Sequence, residues 1–331
     1  MTTRRQFSIS LAASACWPLT GRAQPLADRI RKIGFLAVRS RVSAGKPDAD
    51  YVAFTQAMSD LGYVEGKNLV IEWRFAHGKY DAFPALAAQL VQMPVEVIVT
   101  EGTPATRAAQ QVTKTIPIVT TTVGDPVQSG FAVSLGRPGG NITGLSSISV
   151  DLGPKQIEFL KTMAPKAARI AVLINPDAPH HTALVRNLEV AAKTVGAALL
   201  LVEARDEAGI ERAFASLPRL RAQALLIASD AFFSGQLATL AALAAKQRLP
   251  SIYTLPGFVE AGGLMSYGQD LVQYFRYAAT FVNKILKGTR PSELPFEQPT
   301  KFEMAINLKT AKALGLKVPQ AIMIQATKVI E

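Results

Sequence analysis

Cysteine and histidine are nearly missing from this 331-residue chain: it has one cysteine, Cys16, and three histidines, His77, His180 and His181. A single thiol excludes an intrachain disulfide, and no Cys/His spacing suits a zinc site. Runs of one charge are also missing. The net charge is +11, but the Lys and Arg residues are scattered, and no zinc-finger or RNP-type pattern accompanies them, which argues against nucleic acid as a partner. Beyond the N-terminus no segment approaches the roughly 20 apolar residues that span a bilayer. Enzyme signatures are absent too. The first strand runs into Arg39-Ser40-Arg41 without a G-x-G-x-x-G turn. Ser43-Ala44-Gly45-Lys46-Pro47 lacks the leading glycine of a phosphate loop and ends in proline. Gly144-Leu145-Ser146-Ser147-Ile148 fails the last position of a nucleophile elbow. No catalytic set, no metal site and no cofactor is expected.

What the chain does have begins at its start. Arg4 and Arg5 precede a short apolar stretch, Phe7 to Leu19, and Gly21-Arg22-Ala23 offers small residues at −3 and −1 of a cleavage site. Residues 1–23 therefore read as a signal peptide. Arg4-Arg5-Gln6-Phe7 fits the twin-arginine export pattern; an ordinary Sec signal with two arginines is the alternative. Cleavage after Ala23 removes Cys16 and three arginines with no acid, taking the net charge from +11 to +8. Ala13-Ser14-Ala15-Cys16 is a weak match to a lipoprotein box, so a lipid-anchored form is the other outcome. The expected location is the periplasm.

The remainder alternates β-branched runs with Ala/Leu-rich helical stretches. Strands are expected at 33–38, 68–75, 95–100 and 117–121, with helices at 51–61, 81–92 and 104–113 between them. Continuous apolar strands joined by helices give a parallel sheet covered on both faces. Gly, Pro, Ser, Thr and Asn dominate 122–150. A second set of the same alternation starts at Arg169, and the last third changes type again after Tyr267. With 49% apolar residues and this length, two α/β lobes are the expectation.

Ligands of doubly wound sheets bind at the carboxyl ends of the strands. Thr103 follows a buried strand. It reads either as a plain N-cap with Pro104 in the first turn, or as part of an anion site built on free helix N–H groups. Thr121 extends that wall. Asp125 reads as a simple turn or a polar contact. Asp230 ends a strand of the second half; it can cap the next helix or bind an ammonium group. Phe232-Phe233 is either core or a stacking surface, and Tyr267 offers a flat face and a hydroxyl. Thr103 and Asp230 occupy equivalent places after the third strands of the two halves, as the two ends of a zwitterion require. His180-His181 opens a predicted helix, where adjacent side chains diverge by about 100°, and reads as a solvated pair; His77 reads as an exposed loop residue.

Several stretches carry a family resemblance: Leu61-Gly62-Tyr63-Val64-Glu65-Gly66-Lys67-Asn68, Gly102-Thr103-Pro104-Ala105, Val123-Gly124-Asp125-Pro126-Val127, Arg137-Pro138-Gly139-Gly140-Asn141-Ile142-Thr143-Gly144, Phe258 through Gly268, and Gln298-Pro299-Thr300-Lys301-Phe302-Glu303. Over essentially the whole chain after the signal, the sequence closely resembles ABC-transporter substrate-binding proteins of the group that includes tryptophan- and other aromatic-amino-acid-binding members. The resemblance implies a type I periplasmic-binding fold, two doubly wound lobes joined by a three-segment hinge. It puts crossings near 165, 270 and 303, with an N-terminal lobe of 24–165 plus 271–303 and a C-terminal lobe of 166–270 plus 304–331. By position it implies Ser40, Thr103, Thr121, Asp125, Asp230 and Tyr267 as ligand-facing. It further implies a small-molecule ligand, an ABC permease and its ATPase subunits as partners, peripheral contact with the membrane complex only, a monomer, and no reaction catalysed by this chain. A ligand-sensing protein for a membrane receptor, and a secreted α/β enzyme, are the other readings.

Overall fold

The computed structural model describes residues 29–43, 46–147, 149–178, 180–298 and 301–331. The expected signal peptide, with Cys16, lies outside them. The first lobe runs through β1 (Arg31–Ala37), a small ladder of β2 (Val42–Ser43) with β3 (Lys46–Pro47), α1 (Ala49–Asp60), β4 (Leu69–Phe75), α2 (Phe83–Val91), β5 (Val97–Thr100), α3 (Gly102–Val112), β6 (Ile118–Val123) and β7 (Ile142–Ser146). Its parallel sheet has the order β4-β1-β5-β6-β7. Side chains alternate across this sheet, and both faces are covered. Ile33, Phe35 and Ala37 pack toward α1, whereas Leu36 and Val38 pack toward α2 and α3.

The second lobe holds α4 (Ser149–Met163), β8 (Arg169–Ile174), α5 (His181–Thr194), β9 (Ala198–Glu203), α6 (Glu207–Ser216), β10 (Ala224–Ile227), α7 (Ala231–Ser234), α8 (Leu237–Lys246), β11 (Ser251–Tyr253), α9 (Pro256–Glu260) and β12 (Met265–Gln269). The chain then returns to the first lobe as α10 (Leu271–Leu286), whose buried stripe of Tyr274, Phe275, Ala278, Phe281, Val282 and Ile285 has helical spacing and packs with α1 under the first sheet. It ends in the second lobe with β13 (Phe302–Asn307), α11 (Leu308–Ala313), α12 (Gln320–Gln325) and β14 (Lys328–Ile330). The second sheet is ordered β14-β13-β12-β11-β10-β8-β9, with β13 antiparallel to β12. Counted within each half, strands stack as second, first, third, fourth, fifth in both sheets. Each lobe therefore has a switch point between its first and third strands, β1/β5 and β8/β10.

Three segments cross between the lobes. The second is at Asp270, between β12 and α10. The first differs from the expectation near 165: it comes ahead of α4. Ile157, Leu160 and Met163 of α4 pack with Ile170, Val172 and Leu226 of the second sheet, so the apolar face of this helix assigns it to the second lobe. The third lies before β13, since Glu297 is still bonded to the first lobe through Ser146 N–H and Gly144 C=O, whereas Phe302 already pairs with Gln269.

The β6–β7 pairing shifts register between Thr120 and Val123. Gly144 makes this possible: its φ is +133°, and a Cβ there would sit 2.2 Å from the Thr120 carbonyl oxygen. Gly144→Ala is expected to cost about 3 kcal/mol or more of folding stability, by backbone strain and direct overlap. Urea denaturation checks this; a loss below about 1 kcal/mol would mean the two strands separate at little cost.

Candidate functional site

The carboxyl ends of β1, β5 and β6 face those of β8, β10 and β11 across a cavity of ≈ 90 Å³. On the first wall, Arg39 follows β1 and organises what surrounds it. Its Nε donates to Glu101 Oε1 at 3.0 Å and its Nη2 to Asp50 Oδ2 at 2.8 Å. Its Nη1 lies 3.1 Å from Asp48 Oδ2, and the guanidinium stands 5.2 Å from the Tyr51 ring centre. Glu101 Oε2 accepts from the Val38 N–H at 2.9 Å and the Tyr51 hydroxyl at 2.6 Å. Both Glu101 oxygens are thus occupied, and Arg39 is committed to protein carboxylates. Burial opposes the charge of Arg39, but Glu101 and Asp50 outweigh it and hold its pKa well above the ordinary value. One cation cannot neutralise three carboxylates. Burial pushes Asp48 up to about 6 and Asp50 up as well, against the pull of Arg39 in both cases.

The helix α3 begins at Gly102 and points its first turn into the cleft. Thr103 is not its N-cap, as one sequence reading had it; Glu101 holds that position and makes no side-chain cap bond. Thr103 is 6% exposed and lies inside the first turn. Its Oγ1 accepts from the Gly124 N–H at 3.2 Å, so its own proton remains to be offered to a ligand oxygen. The first N–H groups of a helix have no intrahelical acceptor and favour an anion.

On the second wall, Asp230 caps the short helix α7, accepting from the Phe232 and Phe233 N–H groups at 3.0 and 3.2 Å. Asn175 Nδ2 lies 3.4 Å from both carboxylate oxygens. The other lobe supplies a further donor: the Tyr80 hydroxyl reaches Asp230 Oδ2 at 2.8 Å. Burial and the adjacent Asp230 charge raise the Tyr80 pKa well above its ordinary value, so the phenol remains a donor. Two other contacts bring the lobes together. Gly78, at φ +79°, leaves no room for a Cβ beside Phe232, 2.9 Å away, and Gly124 faces His180, where a Cβ would lie 3.2 Å from that residue's Cβ.

Thr103 and Asp230 therefore line the cleft, on opposite walls. The other four expected residues do not line it. Ser40 Oγ bonds His77 Nδ1 at 2.8 Å on an exposed surface. Thr121 is fully buried and donates to the Thr100 carbonyl; its neighbour Thr122 reaches the cleft instead. Asp125 is exposed and folds its own turn by accepting from Val127 and Gln128 N–H. Tyr267 packs edge-on against Phe159 at 4.9 Å, on the α4 side of β12, leaving Gly268 and Gln269 to line the cleft. The histidine pair is not solvated: His181 is 2% exposed, and His180 lines the cleft. Phe233 is core, and Phe232 closes against Gly78. Arg39, Glu101, Tyr80 and Gln269, none of them expected there, also line the cleft, with His180. The placement of Arg39 and Glu101 straight after the first and third strands was the available signal.

Two lobes with matching switch points and a cleft of charged and apolar residues define a two-lobed ligand-binding protein. The chain belongs to the ABC transporter substrate binding protein family, whose model matches residues 36–330. It is 29% identical over 274 residues to a tyrosine-binding protein of Clostridioides difficile (strain R20291), covering 80% of this chain and 76% of that protein. A conserved domain protein of Vibrio cholerae O1 biovar El Tor N16961 superposes with a TM-score of 0.83 at 27% identity, over 91% of this chain and all of that one. A Streptococcus pneumoniae ABC domain in complex with L-Trp gives 0.81 at 22% identity, covering 91% of this chain and 99% of that one. The ligand-free, open structure of a Clostridium difficile substrate binding protein with adhesive properties gives only 0.63 at 26% identity, with the same coverage of both chains.

Two predictions follow from this geometry. Tyr80→Phe and Gly78→Ala each remove a condition for closure, the first a hydrogen bond and the second a steric fit. Both are expected to raise the radius of gyration of the ligand-free protein in small-angle scattering; Tyr80→Phe leaves its melting temperature nearly unchanged, whereas Gly78→Ala also lowers it, through the strain of an alanine at φ +79°. An unaltered scattering curve would mean these contacts do not hold the lobes together. The second concerns pH. Asp48 titrates higher in the folded protein than in the unfolded chain, so its contribution is present at low pH and is lost as pH rises toward and past about 6. Asp48→Asn keeps the cap on α1 and is expected to stabilise the protein by about 1–2 kcal/mol at pH 7.5 and much less at pH 4. Equal effects at both pH values in urea titrations would contradict this.

Proposed function

We propose that this protein is the extracytoplasmic receptor of an ABC importer and that its ligand is an α-amino acid with an aromatic side chain. One observation carries the reading: a carboxylate, Asp230, stands opposite a helix first turn with the Thr103 hydroxyl, across a single cleft. That pair suits an ammonium on one wall and a carboxylate on the other. Pro104, Leu152, Leu255, Leu271 and Phe275 supply apolar lining for the side chain. The relatives named for tyrosine and solved with L-Trp support an aromatic one. In this reading the N-terminal signal exports the chain, which acts as a monomer without a cofactor. Closure on the ligand presents both lobes to the permease, and its ATPase subunits supply the energy. The chain itself catalyses nothing.

A thermal-shift panel of the twenty amino acids, sugars and nucleosides tests the ligand class. An aromatic amino acid at about 100 times its dissociation constant adds roughly 2.7 kcal/mol of stability. Asp230→Asn, which can still cap α7, is expected to weaken that binding by about 10- to 100-fold, the loss of a charged hydrogen bond. Stabilisation by sugars or nucleosides and by no amino acid would replace the ligand class.

A further inference from the structure

Two cleft side chains carry a buried polar atom with no partner among the described residues: His180 Nδ1 and Gln269 Nε2. They are opposite in kind. His180 Nε2 lies 3.0 Å from the Ser229 carbonyl oxygen. A carbonyl only accepts, so the imidazole proton is on Nε2 and Nδ1 presents a lone pair. His181 Nε2 shares the same carbonyl at 2.9 Å, while its Nδ1 accepts from the Asn175 N–H at 3.0 Å. Gln269 Oε1 accepts from the Ser147 hydroxyl at 2.8 Å, which leaves the amide nitrogen, a donor, as the atom without a partner.

Their positions sort them between the two walls. His180 is anchored on the carbonyl that immediately precedes Asp230. Gln269 is tied through Ser147 to the first wall, because the Ser147 N–H donates to the Val123 carbonyl and the next N–H, that of Gly124, goes to Thr103. The unpaired acceptor therefore accompanies the carboxylate, and the unpaired donor accompanies the anion cradle. We infer that His180 and Gln269 complete a zwitterion clamp: His180 Nδ1 accepts from the ligand's α-ammonium beside Asp230, and Gln269 Nε2 donates to its α-carboxylate beside Thr103. The clamp rests on the amino-acid reading above and adds to it two binding residues that both act as neutral groups.

Neutrality makes the histidine end sensitive to pH. The groups facing His180 are the His181 ring at 4.5 Å and the Asp230 carboxylate in its own lobe, with Tyr80 and the Arg39–Glu101 pair across the cleft. Burial first, and then His181, lower the His180 pKa despite Asp230. A bound ammonium lowers it further, so protonation and ligand exclude each other. Affinity is flat above pH 7 and falls by up to about tenfold per pH unit once His180 in the free protein becomes charged.

Calorimetric titration of the wild type, His180→Phe and Gln269→Leu with L-tyrosine, tyramine and 3-(4-hydroxyphenyl)propionate tests the assignment. His180→Phe is expected to weaken L-tyrosine and tyramine by about 10- to 100-fold, to leave the propionate within about twofold, and to flatten the pH profile between 7.5 and 5. Gln269→Leu is expected to weaken L-tyrosine and the propionate by a similar factor and to leave tyramine alone. Equal losses for all three compounds, or none, overturn the clamp while leaving the proposed function standing. If a variant does not fold, the wild type decides: equal affinities for L-tyrosine and 3-(4-hydroxyphenyl)propionate overturn the ammonium end of the clamp, and equal affinities for L-tyrosine and tyramine overturn its carboxylate end. Failure of the wild type to bind either L-tyrosine or L-tryptophan overturns the aromatic amino-acid reading and the clamp with it.

Discussion

Asp230 is buried, charged and shared. The Phe232 and Phe233 N–H groups, the Asn175 amide and the Tyr80 hydroxyl of the other lobe all point at one carboxylate. A carboxylate taken from water is tolerated only where donors replace its hydration. Three of its donors come from its own lobe and are present whether the cleft is open or shut. The fourth exists only in the closed form. Since water can replace it on opening, the Tyr80 bond contributes about 1–3 kcal/mol at most, as a hydrogen bond to a charged group does. That is enough to bias closure and too little to lock it. A ligand whose ammonium binds between the same walls adds a differential affinity for the closed form, which is what a population shift requires.

The first wall meets the opposite demand. Arg39 holds three carboxylates in place, and none of them is free to bind a ligand cation. The cluster fixes the end of β1, the start of α1 and the end of β5 against one another, so the first turn of α3 is aimed rather than floppy. It also surrounds the cleft with more negative than positive charge. This disfavours a ligand carrying net negative charge and leaves a zwitterion's carboxylate to backbone N–H groups and hydroxyls, whose hydrogen bonds need no counter-ion. The cost appears in Asp48 and Asp50, whose pKa values burial raises even with a guanidinium in contact.

Alternation of strand and helix was readable in the sequence because buried parallel strands are apolar on both faces; the strand order shared by the two sheets was not. Thr103 and Asp230 were readable because strand ends in such folds face the cleft. Other residues failed for local reasons. Thr122, not Thr121, reaches the cleft where the β6–β7 register shifts between Thr120 and Val123, a shift that tertiary pairing and not the local sequence reveals. Tyr267 is one position from the cleft, but pleating puts alternate residues on opposite faces, and the apolar side facing Phe159 took the aromatic ring. Asp125 satisfies its own turn. His180 and His181 looked like a solvated pair because their common acceptor, the Ser229 carbonyl, is nearly fifty residues away in sequence. The α4 crossing was misplaced because Pro165 resembles a lobe boundary, whereas the apolar face of α4 settles where it packs.

The unpaired atoms of His180 and Gln269 tie ligand recognition to lobe movement. In an open cleft, water reaches both and neither costs anything. In a closed, empty cleft each loses its hydration without gaining a partner, a penalty of about 1–3 kcal/mol for each group. Tyr80 and the fit of Phe232 on Gly78 pull the other way. Closure without ligand therefore sets the gain at Asp230 and at the Phe232–Gly78 contact against a loss at two neutral groups. A zwitterion removes the loss and keeps the gain. Its own charges then make the bonds to His180 Nδ1 and Gln269 Nε2 charge-assisted, roughly twice as strong as neutral ones. A ligand lacking either charged end would leave one of these atoms bare and close the lobes less completely, so the same two atoms that complete the clamp also make closure selective.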